Sequence, residues 1–279
     1  MRSIADVRAA VAEARSRDAA IGLVPTMGAL HEGHLSLIRR ARADTDFVVV
    51  SLFVNPTQFA ANEDLGAYPR SEERDAALAA GAGADVLFAP SVEEIYPSGF
   101  ATTIHVGGVT EVLDGEHRGP AHFDGVATVV AKLFQIVAPD SAYFGQKDAQ
   151  QVLVIRRLVR DLDIPVRIVA CPTVREPDGL AMSSRNVYLD PDERRRATAL
   201  NRALDAAQAV VTGPQTSAAS VLDAARRVLA DAAIDPEYLE LRSPHDLAEV
   251  HSIGDGALLA VAARVGRARL IDNRIMEAQ

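Results

Sequence analysis

Ile21-Gly-Leu-Val-Pro-Thr-Met-Gly-Ala-Leu-His-Glu-Gly-His-Leu-Ser-Leu-Ile38 is the stretch from which the fold of this chain can be read. The apolar run Ile21–Val24 ends at Pro25, and a turn of small residues passes through Gly28 and Ala29. His31, Gly33 and His34 then open a segment with helical periodicity at Leu35, Leu37 and Ile38. A strand, a glycine turn and a helix start form the junction where a parallel α/β sheet offers backbone N–H groups and a positive helix end to an anion. Two imidazoles at such a junction point to chemistry on a phosphate.

Working outward, apolar runs rich in Val, Ile and Phe recur at Ile21–Val24, Phe47–Val54, Ala84–Phe88, Thr102–Val106, Ser141–Phe144 and Val166–Ala170. Helical stretches separate them, so right-handed βαβ crossovers and a mostly parallel sheet are predicted. Phe47–Val54 shows no polar alternation, as befits a strand buried on both faces. Helices are expected within Met1–Arg17 and over Ser71–Gly81, Phe123–Val137 and Ala149–Asp161, with Ser71 as an N-cap. After Cys171-Pro172 the texture changes. A polar loop, Thr173–Gly179, precedes helical patterns at Ala197–Val211 and Ser217–Ala233. Strand-like runs follow at Tyr238–Leu241, Leu258–Val265 and Leu270–Asp272. Helices beside a few antiparallel strands make a small α+β domain, which places the boundary near residue 175.

Composition narrows the class. A chain of 279 residues with 48% apolar content can bury a large core. Its net charge of −9 argues against general binding to nucleic acid or a membrane surface, both of which need an extended positive field. Any polyanion must then be held by local groups. The single cysteine, Cys171, excludes an intramolecular disulfide and a Cys-rich zinc site. Met1–Arg17 lacks the apolar core of a signal peptide, and no run nears the ~18 apolar residues of a membrane span, so a cytoplasmic location is expected.

Four clusters carry chemistry. His31 and His34, one turn apart at a helix start, could donate hydrogen bonds to charge growing on an α-phosphate. The competing readings are a metal pair, for which a third ligand is lacking, and a chance pair of surface histidines. In Phe53-Val-Asn-Pro-Thr-Gln-Phe59, Asn55 and Gln58 can each donate and accept, which suits a small hydroxy acid; the bare motif is also a common structural turn. In Tyr143-Phe-Gly-Gln-Lys-Asp-Ala-Gln-Gln151, Lys147 stands at a helix start, where a cation is unfavourable unless an anion lies there. A solvated pair with Asp148 is the alternative. In Met182-Ser-Ser-Arg-Asn186, Ser183, Ser184 and Arg185 could bond phosphate oxygens, or simply cap a helix. His122 reads as structural or peripheral.

Taken together, Val24-Pro-Thr-Met-Gly-Ala-Leu-His-Glu-Gly-His34, Phe53-Val-Asn-Pro-x-Gln-Phe59, Phe144-Gly-x-Lys-Asp148 with Gln150-Gln151, and Met182-Ser-Ser-Arg-Asn186 resemble, in order and spacing, the bacterial pantothenate synthetase (pantoate–β-alanine ligase) family. The resemblance runs essentially from end to end. The first motif is similar to the His-x-Gly-His signature of the wider nucleotidylyltransferase superfamily, and Met-Ser-Ser-Arg to its second, mobile phosphate-binding motif.

The resemblance implies an α/β fold: a Rossmann-like parallel-sheet domain binding ATP and pantoate over 1–175, then a smaller α+β C-terminal lid domain over 176–279. It implies an ATP-dependent ligase that joins pantoate to β-alanine through pantoyl adenylate. Magnesium would accompany ATP, and the assembly would be a homodimer. By matching position, Met27, Gly28, Ala29, Leu30, His31, Glu32, Gly33 and His34 would line the ATP site, with His34 the candidate acid. Gly145, Gln146, Lys147 and Asp148 would hold nucleotide, Val174 the adenine, and Met182, Ser183, Ser184 and Arg185 the triphosphate. The catalytic set would be His31, His34, Lys147, Ser183, Ser184 and Arg185. Gln58 and Gln151, with Asn55, would bind pantoate, and Gln58 also β-alanine.

The sequence departs from the family pattern at Thr57 and Gln146, where Met and Glu are expected. Gly119-Pro-Ala-His122 replaces Arg-Pro-Gly-His, with Arg118 one place early, and Arg74 interrupts the acidic run Glu72-Glu-Arg-Asp75. No protein ligand for magnesium is assigned. The alternatives are a nucleotidylyltransferase that stops at an adenylated product and a non-catalytic nucleotide sensor.

Overall fold

The computed structural model describes residues 1–59, 66 and 71–278. The chain forms two compact units, Met1–Gln146 with Gln150–Pro172, and Lys147–Ala149 with Thr173–Gln279.

The first unit begins with α1 (Ile4–Arg15), whose N-cap Ser3 accepts a hydrogen bond from Asp6 N and whose Val7, Val11 and Ala14 are buried. Then follow β1 (Ile21–Thr26), α2 (Glu32–Asp44), β2 (Phe47–Leu52), α3 (Glu72–Ala82) and β3 (Val86–Phe88). Two short helices, α4 (Val92–Ile95) and α5 (Asp114–Arg118), precede the long α6 (Pro120–Val137), β4 (Ser141–Gly145), α7 (Ala149–Asp161) and β5 (Arg167–Cys171). The five strands pair in the order β3-β2-β1-β4-β5. All are parallel, from Ile21 opposite Phe47 to Gly145 opposite Cys171.

The strand order fixes where a ligand can sit. The chain winds outward from β1 to β3, then returns to place β4 on the other flank of β1. Such a reversal leaves a crevice beyond the carboxyl ends of β1 and β4, since their following loops lead away in opposite directions. The loop after β1 begins at Met27 and the turn after β4 at Gln146. The sheet is lined by Val24, Val48, Val50 and Tyr143, against which Leu35, Ile38 and Ala41 of α2 pack. The buried Cys171 closes β5, and burial pushes its thiol pKa up.

Two predicted elements differ. Among the described residues Thr102–Val106 pairs with no strand, although its β-branched residues read as one. It packs on α6 instead, Ile104 N donating to Thr128 Oγ1 at 2.9 Å, which satisfies the backbone by a side chain rather than a ladder. The helical pattern Ala197–Val211 starts later, as α9 (Ala199–Ala209), because its first residue ends the preceding α8 (Pro191–Ala197) and Thr198 separates the two.

In the second unit, Asp190 and Glu193 form a reciprocal capping box at the start of α8. α10 (Ala218–Asp231) and the antiparallel strands β6 (Pro236–Arg242), β7 (Ala257–Val265) and β8 (Ala268–Met276) complete it, in the order β6-β7-β8. The predicted run Leu270–Asp272 is thus the middle of a nine-residue strand. Leu200, Leu204, Val221 and Leu229 from the helices pack with Leu241, Leu259 and Val261 of the sheet in one core. Among the described residues no helix is long and apolar enough to cross a membrane.

Candidate active site

The loop between β1 and α2 carries the double histidine. Gly28 and Ala29 both adopt positive φ, +89° and +51°. For Ala29 that left-handed conformation is strained and persists only if the surroundings impose it. The constraint is Asp75 on α3, 1% exposed, whose Oδ2 and Oδ1 accept from Ala29 N and Leu30 N at 2.8 Å each. One step on, His31 is the N-cap of α2 and its Nδ1 accepts from Gly33 N at 3.2 Å. Its own N–H donates to His34 Nδ1 at 3.4 Å. The two rings lie 4.1 Å apart at their centroids.

This corrects the picture of a bare anion cradle. The N–H groups of Ala29, Leu30, His31 and Gly33 are all engaged within the protein. Because both Nδ1 atoms accept, each neutral imidazole carries its proton on Nε2. Donation into Nδ1 polarises the ring and strengthens Nε2–H as a donor. At this helix start the donors therefore include two imidazoles and not the backbone alone. Glu32 is exposed and bonded to Arg39, which holds its carboxyl pKa below the ordinary value.

Beyond β2, Asn55 caps the turn Pro56–Gln58. Asn55 is 1% exposed and its amide is occupied at both ends. Its Nδ2 donates to Gln58 Oε1 and to the Gly125 carbonyl of α6, each at 3.1 Å. Its Oδ1 accepts from the Tyr96 hydroxyl and from Thr57 Oγ1, each at 2.9 Å. Burial pushes the Tyr96 phenol pKa up, which keeps it a donor. Gln58 Nε2 reaches Met27 Sδ at 3.2 Å, so the turn adjoins the loop after β1. His122 bears on the same residue: its Nδ1 lies 2.9 Å from the Gln58 carbonyl and its Nε2 2.8 Å from Arg118 Nη1. An arginine can only donate, so Nδ1–H faces Gln58. Sequence reasoning read His122 as structural or peripheral and left Arg118 without an assigned role; both bear on the Gln58 carbonyl.

The adjacent glutamines separate by burial. Gln150 is 7% exposed and ties the irregular segment before α5, accepting from Asp114 N and donating to the Val109 and Val112 carbonyls. Gln151, half-buried, is the one of the pair with open surface.

The remaining predicted residues, Gly145 and Gln146 apart, belong to the C-terminal unit. Lys147 and Asp148 lie in a single 3-10 turn before α7, with Nζ 3.7 Å from the Asp148 carboxylate. Val174 accepts from Met182 N at 2.9 Å, which brings the adenine and triphosphate candidates together at the neck of one loop. Ser183 caps the turn Ser184–Tyr188 through Arg185 N at 3.3 Å. Met182, Ser183, Ser184 and Arg185 are all half-buried. Sequence reading missed Asp75 as a support of the loop, because an acid in the first turn of a helix already has a reason to be there.

A five-stranded parallel sheet of this order, with histidines at the helix start beside its switch point, defines a nucleotide-binding enzyme of the Rossmann-like α/β class. The profile of the family described as Pantoate-beta-alanine ligase matches residues 1–275, and the chain belongs to that family. It is an AMP-forming carbon–nitrogen ligase. The pantothenate synthetase of Moorella thermoacetica is 54% identical over 99% of this chain and 98% of its own length. That of Roseiflexus castenholzii is 53% identical over the whole of both. The crystal structure of the Thermus thermophilus enzyme superposes with a TM-score of 0.94 at 50% identity, over 99% of each chain. The Francisella tularensis ligase, complexed with βγ ATP and β-alanine, gives a TM-score of 0.83 at 35% identity, over 100% of this chain and 98% of its own.

Asp75→Asn leaves one backbone N–H facing an amide N–H₂ in a buried site. It is expected to cost about 1.5–3 kcal/mol of stability in urea unfolding; a wild-type midpoint would contradict the role given to this carboxylate.

Proposed function

We propose that the chain condenses (R)-pantoate with β-alanine, using ATP, through a pantoyl-adenylate intermediate. The observation that carries this reading is the pair of capping histidines, whose Nδ1 atoms accept from backbone N–H groups and whose protons are thereby held on Nε2 as donors suited to a phosphate. A carboxylate oxygen of pantoate attacks the α-phosphorus of ATP, the bond to the β-phosphate breaks, and pyrophosphate leaves. The β-alanine amine then attacks the acyl carbon, AMP departs, the amine loses a proton, and an amide remains. No covalent enzyme intermediate is required.

Met27–His34, Gly145–Asp148, Val174 and Met182–Arg185 are assigned to ATP. His31 and His34 meet charge on the α-phosphate, with His34 as the acid. Lys147, Ser183, Ser184 and Arg185 neutralise the departing pyrophosphate. Asp148 takes the ribose hydroxyls and Val174 the adenine, by backbone. Gln58 and Gln151 hold pantoate, and Gln58 adjoins β-alanine; Asn55 contributes by fixing the Gln58 amide. The Francisella relative, complexed with βγ ATP and β-alanine, supports the substrate set.

Magnesium fits as a companion of the triphosphate, held by phosphate oxygens and water. Among the described residues no group of three His, Cys, Asp or Glu side chains is arranged for a metal. Asp75, the buried acid behind the loop, has both oxygens engaged by backbone. When bound, the ion supplies charge neutralisation on the phosphates.

Four measurements test this reading. Pantoate-dependent exchange of pyrophosphate into ATP, without β-alanine, is expected; exchange that needs β-alanine would exclude the adenylate. His34→Ala and Lys147→Ala should each slow that exchange by about 10²–10³-fold with the fold intact, as for loss of one preorganised donor. At Gly125 an added Cβ would stand 2.7 Å from the Thr57 carbonyl carbon and oxygen and 2.8 Å from Gln58 N. Gly125→Ala should therefore displace the Gln58 turn and lower kcat/KM for pantoate by at least about 10-fold; unchanged pantoate kinetics would remove Gln58 from that site. A homodimer completes the proposal, and light scattering should give twice the 29.7 kDa chain mass.

A further inference from the structure

Two consecutive residues in the middle of β8, Asp272 and Asn273, are polar yet 2% and 6% exposed. Neighbouring side chains on a strand point to opposite faces, and this pair reaches two different segments of the C-terminal unit. On one face the Asp272 carboxylate takes the Arg175 guanidinium in a forked ion pair, Nη1 to Oδ2 at 2.6 Å and Nη2 to Oδ1 at 3.0 Å. On the other, Asn273 Nδ2 donates to the Lys147 carbonyl at 2.8 Å.

Arg175 sits just inside the loop that joins Val174 to Met182. Its backbone bridges to Ala181, and Glu176 N donates to the Leu180 carbonyl at 2.8 Å. Its Nη1 also reaches the Gly179 carbonyl at 3.2 Å. Asn186 closes the far side by donating to the Ala181 carbonyl at 3.1 Å and Glu176 Oε1 at 3.3 Å. The loop thus forms one braced body, and Asp272 holds it to the strand. β8 is itself fixed, paired with β7 residue by residue from Ala257 opposite Met276 to Val265 opposite Ala268.

A buried ion pair is a poor source of stability, since desolvating both charges offsets most of their attraction, and apolar residues of like volume would serve as well. What such a network supplies is one defined arrangement. We propose that Asp272 and Asn273 are positioning residues for ATP: one strand sets the spacing between Lys147 and the segment Val174–Arg185. This rests on the assignment of those two segments to the nucleotide. Neither residue touches substrate; each acts through the backbone or side chain it holds.

Steady-state kinetics on the full-length enzyme tests it. Asn273→Ala removes the donor to the Lys147 carbonyl and leaves the lysine side chain in place. It should raise KM for ATP about 2- to 12-fold, the equivalent of one net hydrogen bond, with KM for pantoate and β-alanine unchanged. Arg175→Lys keeps the charge but not the fork, and should move KM for ATP in the same direction while folding normally. Loss of folded enzyme alone would lower kcat and leave every KM where it was, so the KM for ATP separates positioning from bulk stability. Unchanged KM for ATP in both variants, or an equal rise in all three KM values, would overturn the proposal. Lys147→Ala measured alongside separates the two levels. If it slows the reaction while Asn273→Ala and Arg175→Lys leave ATP kinetics normal, only the positioning role falls. If it too is normal, the nucleotide assignment falls and takes the positioning role with it.

Discussion

The first turn of α2 has more backbone N–H groups than the helix itself can satisfy, and most of the candidate site follows from how they are paired. Four donors at any helix start lack an intrahelical partner. Here two imidazoles take the N–H groups of the N-cap His31 and of Gly33, while in the loop just before the helix a carboxylate from α3 takes those of Ala29 and Leu30. The pairing holds Ala29 in a left-handed conformation and fixes the tautomer of both rings. It also sets the exit of the chain from β1 at the one place in the sheet where neighbouring loops diverge. The positive helix end is thereby relayed through the ring nitrogens to the position where a phosphate would meet them.

The same economy of parts recurs around Gln58. Asn55 bonds the Gln58 side chain, His122 and Arg118 its carbonyl, and Tyr96 and Gly125 hold Asn55 in turn. Gly125 is there because nothing larger fits against the Thr57 carbonyl. A short helix cap and a long helix are in this way locked to one another, with a single amide left facing the loop after β1.

Legibility in the sequence followed the range of the interactions. Strands buried on both faces read as continuous apolar runs, so the parallel sheet could be inferred from Phe47–Val54 and its counterparts. The histidine pair was visible because both members of the constellation lie within four residues. Thr102–Val106 misled, because β-branched composition reports fitness for an extended chain and not what satisfies its backbone; Thr128 does that. Asp75 and the Asp272–Asn273 pair were invisible because their partners are 45 to 126 residues away. Gln150 and Gln151 are indistinguishable as letters, and only the face of α7 each occupies divides them.

The histidine cap has a consequence for anyone stabilising this protein. Ser, Asp and Asn are better N-caps than histidine, and replacing a poor cap by a good one is a routine route to about 0.5–2 kcal/mol. A consensus- or propensity-guided redesign would therefore select position 31 early and reward its replacement. The gain would come from the helix; the loss would be an imidazole that serves the backbone through one ring nitrogen and carries its donor proton on the other. On the proposed assignment of His31 to the α-phosphate, position 31 is one where thermostability and turnover compete for the same side chain, and it belongs on the fixed list of any such redesign.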